Sequence, residues 1–171
     1  IGRIEMVANT GTYIDTPFHR FEDGFDLAGL ALESVVDVEG VCVRAEGPAI
    51  TPDVLEGLDV ADRAVLFATG WDRYWRTELY GDPDHPFLTS DTAMMLVDEG
   101  ARLVGIDSVN VDDTAGGDRP AHTMLLGAGV SIVEHLTRLD DLVGASLRFY
   151  AVPVKVRGLG SFPVRAFAVA L

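Results

Sequence analysis

The run Ala64-Val-Leu-Phe-Ala68 constrains the fold more than any other stretch. Five apolar residues in succession, closed by Thr69-Gly70, leave no polar side for solvent. A strand sends alternate side chains to opposite faces, so a run like this must be covered on both. Arg102–Ile106 and Val130–Glu134 have the same character, and Val35–Ala45 reads as a further strand that bends near Gly40. Helical stretches lie between them. Thr51-Pro52 opens a short one, Ser90 reads as the cap of one running to about Glu99 before Gly100, and Pro120–Gly127 is another. Strands covered on both faces and separated by short helices predict an α/β domain with a mixed sheet. Leu147–Val156 and Val164–Leu171 read as two long strands joined by Arg157-Gly-Leu-Gly-Ser161. Phe21–Leu32 reads as a loop turning at Asp23-Gly24. Ile1–Ala8 reads as a weak strand already under way, so an N-terminal segment is expected to precede it. At 171 residues the chain is expected to form one domain.

Charge narrows the partners. The chain carries 13 basic and 27 acidic residues, a net charge of −14, and offers no basic footprint for nucleic acid or an anionic membrane surface. No apolar run approaches the roughly 18 residues of a membrane span. The single cysteine, Cys42, excludes an internal disulfide and reads as an inert buried thiol in a reducing, cytoplasmic setting. Asp112-Asp113 reads as a solvated loop, because no calcium-loop pattern with a closing Glu follows. Gly158-Leu-Gly160-Ser161 lacks the lysine and helix of a phosphate loop.

The chemistry concentrates near the N-terminus, in Asn9-Thr-Gly-Thr-Tyr-Ile-Asp-Thr-Pro-Phe-His19. Read as a strand, Asn9, Tyr13 and Asp15 share one face, with Gly11 leaving room between them. Pro17 then ends the ladder and His19 falls in the following loop. Farther along, His122 opens a short helix and Glu134 ends the next strand. Gly127 and Gly129 permit a sharp return between them, so both can face one cavity. Asp15, His122 and Glu134 would then offer an oxygen, a nitrogen and an oxygen to a divalent ion.

The signature stretch resembles that of the cyclase family, to which bacterial kynurenine formamidases and isatin hydrolases belong. The family pattern is His-x-Gly-Thr-His-x-Asp-x-Pro-x-His, and Gly11, Thr12, Asp15, Pro17 and His19 match it in register. The resemblance continues through Thr69-Gly70-Trp71, His85-Pro86-Phe87, Gly105-Ile106-Asp107-Ser108 and Val111-Asp112. It includes His122 with Glu134, and Pro163-Val164-Arg165-Ala166 near the end. It implies a swivelling β/β/α fold with a central barrel-like mixed sheet, assembled as a homodimer or homotetramer. It also implies a hydrolase that opens an amide, a formamide or a lactam, in a small aromatic substrate. One divalent ion, zinc or manganese, would sit on Asp15, His122 and Glu134, and His19 would shuttle the proton. Phe18, Phe21, Trp71 and Trp75 would wall an apolar substrate cavity.

Two positions depart from the family pattern. Both histidines that hold a first metal ion in the family are replaced, by Asn9 and Tyr13. Neither is a good ligand at neutral pH, since a phenol titrates near ~10. The departures leave Asn9 and Tyr13 to orient substrate or water, and in a metal-free enzyme Tyr13 would pair with His19 in acid–base work. Two other readings stay open on the same residues: a metal-free cyclase, isomerase or dehydratase, and a non-catalytic domain that binds a small molecule.

Overall fold

The computed structural model describes Ile1–Leu171 throughout. Ten strands are formed: β1 Tyr13–Asp15, β2 Val38–Arg44, β3 Ala49–Ile50, β4 Ala64–Ala68, β5 Phe87–Leu88, β6 Leu103–Ile106, β7 Ser131–Glu134, β8 Leu147–Tyr150, β9 Ser161–Pro163 and β10 Phe167–Ala170. Two α-helices join them, α1 Ser90–Asp98 and α2 Pro120–Gly127. Eight strands make one sheet in the order β10-β8-β2-β4-β6-β7-β1-β9, while β3 and β5 pair separately. The central four, β2, β4, β6 and β7, run parallel, and antiparallel strands flank them on both sides. This mixed, curled sheet with few helices is the expected α/β swivelling architecture.

Both faces of the sheet are covered, as the Ala64–Ala68 run requires. Val65 and Phe67 pack with Val104, Ile106 and Ile132 under Ala93, Leu96, Leu125 and Leu126 of the two helices. Ala64, Leu66 and Ala68 pack with Ile14, Val133, Leu147 and Phe149 on the other face. Each fully buried leucine or phenylalanine here contributes about 1.5–3 kcal/mol of transfer free energy. No helix is long and apolar enough to cross a membrane.

Several expectations shift. Thr89, not Ser90, caps α1, its side-chain oxygen accepting from the Thr92 amide. The Thr51-Pro52 start leads into a single 3-10 turn, Pro52–Leu55. The two long C-terminal strands are only four residues each, and Ser161, expected in their connection, begins β9. Ile1–Ala8 forms no strand and is almost wholly exposed. The signature strand is shorter too: it begins at Tyr13, and Gly11 turns the chain at φ 67°, a conformation glycine adopts without steric cost. Asn9 therefore lies outside the ladder that holds Tyr13 and Asp15. Pro17 does end that ladder, and His19 sits in the 3-10 turn Pro17–His19.

Candidate functional site

Strand register builds the site. β1 pairs β7 with Tyr13 opposite Glu134 and Asp15 opposite Ile132, and pairs β9 with Asp15 opposite Ser161. Ile132 belongs to the helix-side core, so Tyr13, Asp15, Glu134 and Ser161 project from the same side of the sheet, toward the start of α2. His122 comes from the first turn of that helix. Asp15, His122 and Glu134 are all fully buried. Burying three such groups together is tolerated only where charges and hydrogen bonds compensate one another.

His122 is oriented by a residue whose role the sequence concealed. Asp112, read as part of a solvated loop, is 1 % exposed. One of its oxygens accepts the Ala121 amide at 2.6 Å, and the other accepts the His122 amide at 3.1 Å and Nδ1 at 2.6 Å. Pro120 at the first helical position has no amide to offer, so Asp112 satisfies the next two orphan donors of α2 and favours its positive end. Although burial alone would raise it, the bonds from His122 and the two amides hold the Asp112 carboxyl below the ordinary range. Carboxylate-oriented imidazoles of this kind are the usual form of a metal-binding histidine.

His19 is oriented by Ser161. Ser161 Oγ donates to Asp15 Oδ1 and lies 2.8 Å from His19 Nδ1. With its only proton given to Asp15, the serine oxygen accepts Nδ1–H, which leaves the lone pair on His19 Nε2. Burial, only partly opposed by Asp15, lowers the His19 pKa, so the ring is a neutral base. The contact needs a close backbone approach: a Cβ on Gly160 would stand 2.2 Å from the His19 amide nitrogen. Thr16 amide to Gly160 carbonyl, 2.8 Å, locks the same crossing.

The free donors converge. One donor atom each from Asp15, His19 and His122 lies within 4.8 Å of the others. Asp15 Oδ2 is buried without any hydrogen-bond partner, 3.5 Å from His122 Nε2. A buried anionic oxygen left unpaired is costly, and a cation is what relieves it. Two imidazoles and a carboxylate make a chemically suitable set for zinc or manganese. Glu134 is close, with Oε1 3.7 Å from His122 Nε2, but its oxygens are engaged. Oε1 accepts the Val111 amide at 2.7 Å and Oε2 accepts the Tyr13 hydroxyl. Burial and the adjacent carboxylates push Tyr13 far above its ordinary pKa, and burial also raises Glu134. Tyr13 thus keeps its proton and acts as a buried donor to Glu134.

A cation from the protein already stands at this point. Arg119, on which the sequence reading placed no role, puts Nη2 2.7 Å from His122 Nε2 and Nη1 3.4 Å from His19 Nε2. Burial lowers the His122 pKa, yet the bond to Asp112 and the nearby Asp15 and Glu134 carboxylates push it up to about 9. The pocket therefore draws positive charge to Nε2. The same Nη2 lies 3.2 Å from His122 Nδ1, so the guanidinium lies across the ring rather than in line with one lone pair, while Nδ1–H donates to Asp112.

The expected aromatic wall is only partly present. Trp75 lines an open cleft of about 520 Å³ together with Asn9, Gly11, Tyr80 and His135. Its ring meets Tyr80 at 4.7 Å and His135 at 5.7 Å, both edge-on. Trp71 is not in that wall: its Nε1 donates to the Tyr80 carbonyl at 2.9 Å, and its ring meets Tyr74 at 4.9 Å. Phe18 sits half-buried on the Pro17–His19 turn, and Phe21 packs on the helix-side core. Tyr80 and His135, both overlooked in the sequence, supply the remaining cleft aromatics, joined by a 2.9 Å bond from Tyr80 Oη to His135 Nδ1. Another recess, about 370 Å³ between β2 and β8, includes Cys42 and shares no residue with the polar cluster. Burial pushes the Cys42 thiol up to about 12, so it is no nucleophile at neutral pH.

The cyclase family profile matches residues 2–113. A kynurenine formamidase from Salinibacter ruber is 33% identical over 172 residues, spanning 97% of this chain and 78% of that protein. One from Bacillus mycoides is 30% identical over 174 residues, with the same coverage of 97% and 78%. Among solved structures, a protein described as a potential metal-dependent hydrolase with cyclase activity superposes with a TM-score of 0.81 at 31% identity, over 96% of this chain and 80% of that one. Isatin hydrolase A from Labrenzia aggregata, bound to benzyl benzoate, superposes with a TM-score of 0.84 at 25% identity, over 97% of this chain and 75% of that one. With its signature residues gathered on β1, α2 and β7 and with these relatives matched over nearly its whole length, the chain belongs to the cyclase family.

Proposed function

We propose that this protein is a metal-dependent hydrolase that cleaves an amide bond, a formamide or a lactam, in a small aromatic compound. The buried, unpartnered Asp15 Oδ2 beside two imidazole rings carries the reading. Asp15 and His122 would hold the ion, zinc or manganese, with Glu134 completing the set. When bound, the ion supplies acidity to water and polarisation to the amide carbonyl.

The chain's own residues do the rest. Asp112 keeps the His122 proton on Nδ1. Ser161 keeps the His19 proton on Nδ1, leaving Nε2 to accept a proton from the attacking water and return it to the leaving nitrogen. His19 suits that task because its side chain is 21% exposed whereas those of Asp15 and His122 are sealed. Tyr13 holds Glu134 in place by donating to Oε2. Trp75, Tyr80 and His135 offer an aromatic ligand flat and edge contacts in the cleft, with Asn9 at its rim.

The related proteins support an amide hydrolase of this kind: kynurenine formamidases among the relatives, an isatin hydrolase among the structures. Assay of metal-stripped protein on aryl formamides and aryl lactams tests it. Turnover should vanish on chelation and return with zinc or manganese; turnover that survives both chelation and His122→Ala overturns it. The Arg119 contact favours a second reading, a metal-free acid–base enzyme in which the guanidinium is the resident cation. Stoichiometric metal in purified protein would exclude that reading.

A further inference from the structure

Arg119 stands against the two imidazoles that an ion would approach. Its Nη2 lies 2.7 Å from His122 Nε2 and 3.2 Å from Nδ1 of the same ring, and Nη1 lies 3.4 Å from His19 Nε2, so a fixed positive charge sits against both imidazoles and repels a metal ion approaching them. It forms no ion pair with any carboxylate that would hold it there independently. It sits at the N-terminal edge of α2, half-buried, beside an open recess of about 380 Å³ bordered by Arg20, Asp118 and Thr123. The side chain therefore has two places to lie, one on the imidazoles and one in that recess.

Building on the metal-dependent reading above, we propose that Arg119 and the divalent ion occupy the space against His122 by turns. The guanidinium is a built-in cation beside the imidazoles. Metal loading then requires Arg119 to turn out into the recess beside Arg20. The apparent metal affinity is lowered by the fraction of molecules with the arginine turned in. Arg119 is thus a tuning residue for loading rather than a ligand.

Calorimetric titration of metal-stripped protein with Mn²⁺ and with Zn²⁺ tests this, alongside melting of the metal-free forms. Arg119→Ala should bind the ion about ten- to a hundredfold more tightly, as loss of a competing charged hydrogen-bond donor implies. Its metal-free form should melt no higher than wild type, because the guanidinium's contacts to the two imidazoles are lost. Arg119→Lys, a point charge unable to fork onto two imidazoles, should fall between. It carries the comparison if the alanine variant does not fold. Adding His122→Ala to Arg119→Ala should abolish binding, which ties the gain to this site. A purely structural role would lower melting and affinity together, and an Arg119→Ala affinity equal to or weaker than wild type overturns the proposal. Equal binding by both proteins defeats this inference alone; no binding by either defeats the metal reading with it. Binding by Arg119→Ala only upholds the competition and makes the wild-type protein metal-free.

Discussion

Tyr13 touches two regions built on opposite physical terms. Its hydroxyl donates to Glu134 in the sealed Asp15–His122 cluster, and its ring lies 5.2 Å from His135 on the wall of the open cleft. The cluster is charged, buried and almost fully hydrogen-bonded, with one oxygen left over. The cleft is uncharged apart from Arg76, aromatic and open to solvent. The difference separates tasks. A low-dielectric pocket makes each charge count for more, which suits ion binding and proton transfer. An open aromatic rim admits and releases a flat ligand with little reorganisation.

Breaking the cluster at its unpartnered oxygen should give the largest effect. Asp15→Asn keeps the volume and removes the charge. Metal affinity, read by calorimetry, should fall by at least about a hundredfold, since a ligand is lost outright. Metal-free stability should hold or rise, because a buried carboxylate oxygen without a hydrogen-bond donor disappears. Retained affinity with lowered stability would show that Asp15 is structural and would dissolve the contrast.

His135 probes the boundary between the regions. Burial, against the pull of Asp15, lowers its pKa to about 4. The unfolded chain takes up a proton near the ordinary value of ~6.5, and the folded chain does not until about 4. A depressed folded pKa means this contribution is fully present above ~6.5 and is lost as pH falls through the window to about 4. His135 adopts φ 58°, a conformation asparagine tolerates. In urea unfolding, wild type should therefore lose about 1–2 kcal/mol more than His135→Asn between pH 7 and pH 5. Parallel losses would place His135 in solvent, as part of the cleft only.

The cleft side should give the smallest change. Trp75→Ala should weaken an aryl ligand about tenfold, the scale of one lost aromatic contact. Metal affinity and melting temperature should stay put, because Trp75 contacts only the cleft aromatics. A fall in metal affinity would show that the two regions are one site.

The helix α2 and the strands β4, β6 and β7 were legible within a residue or two. Their signals are local: a proline at the first helical position, a glycine at the turn, an apolar run with no polar face. Asp15, His122 and Glu134 were named from the signature and its spacing, and the fold brings all three to one buried place. Asn9 was misplaced because strand alternation was extended through Gly11, whose positive φ breaks it. Asp112 looked like solvated loop because capping across a loop leaves no periodic trace. Ser161 lies 146 residues from Asp15, and only the β1–β9 pairing places it there.

The sequence by itself determined the class of fold, the family and the donor types, because patterning and side-chain chemistry are carried by each residue where it stands. Tertiary structure alone decided which lone pairs face inward, that Asp15 keeps one oxygen free, and that Arg119 reaches the two imidazoles. Those outcomes depend on strand register and on burial, which lowers the dielectric and turns an unmatched charge into a demand for a cation.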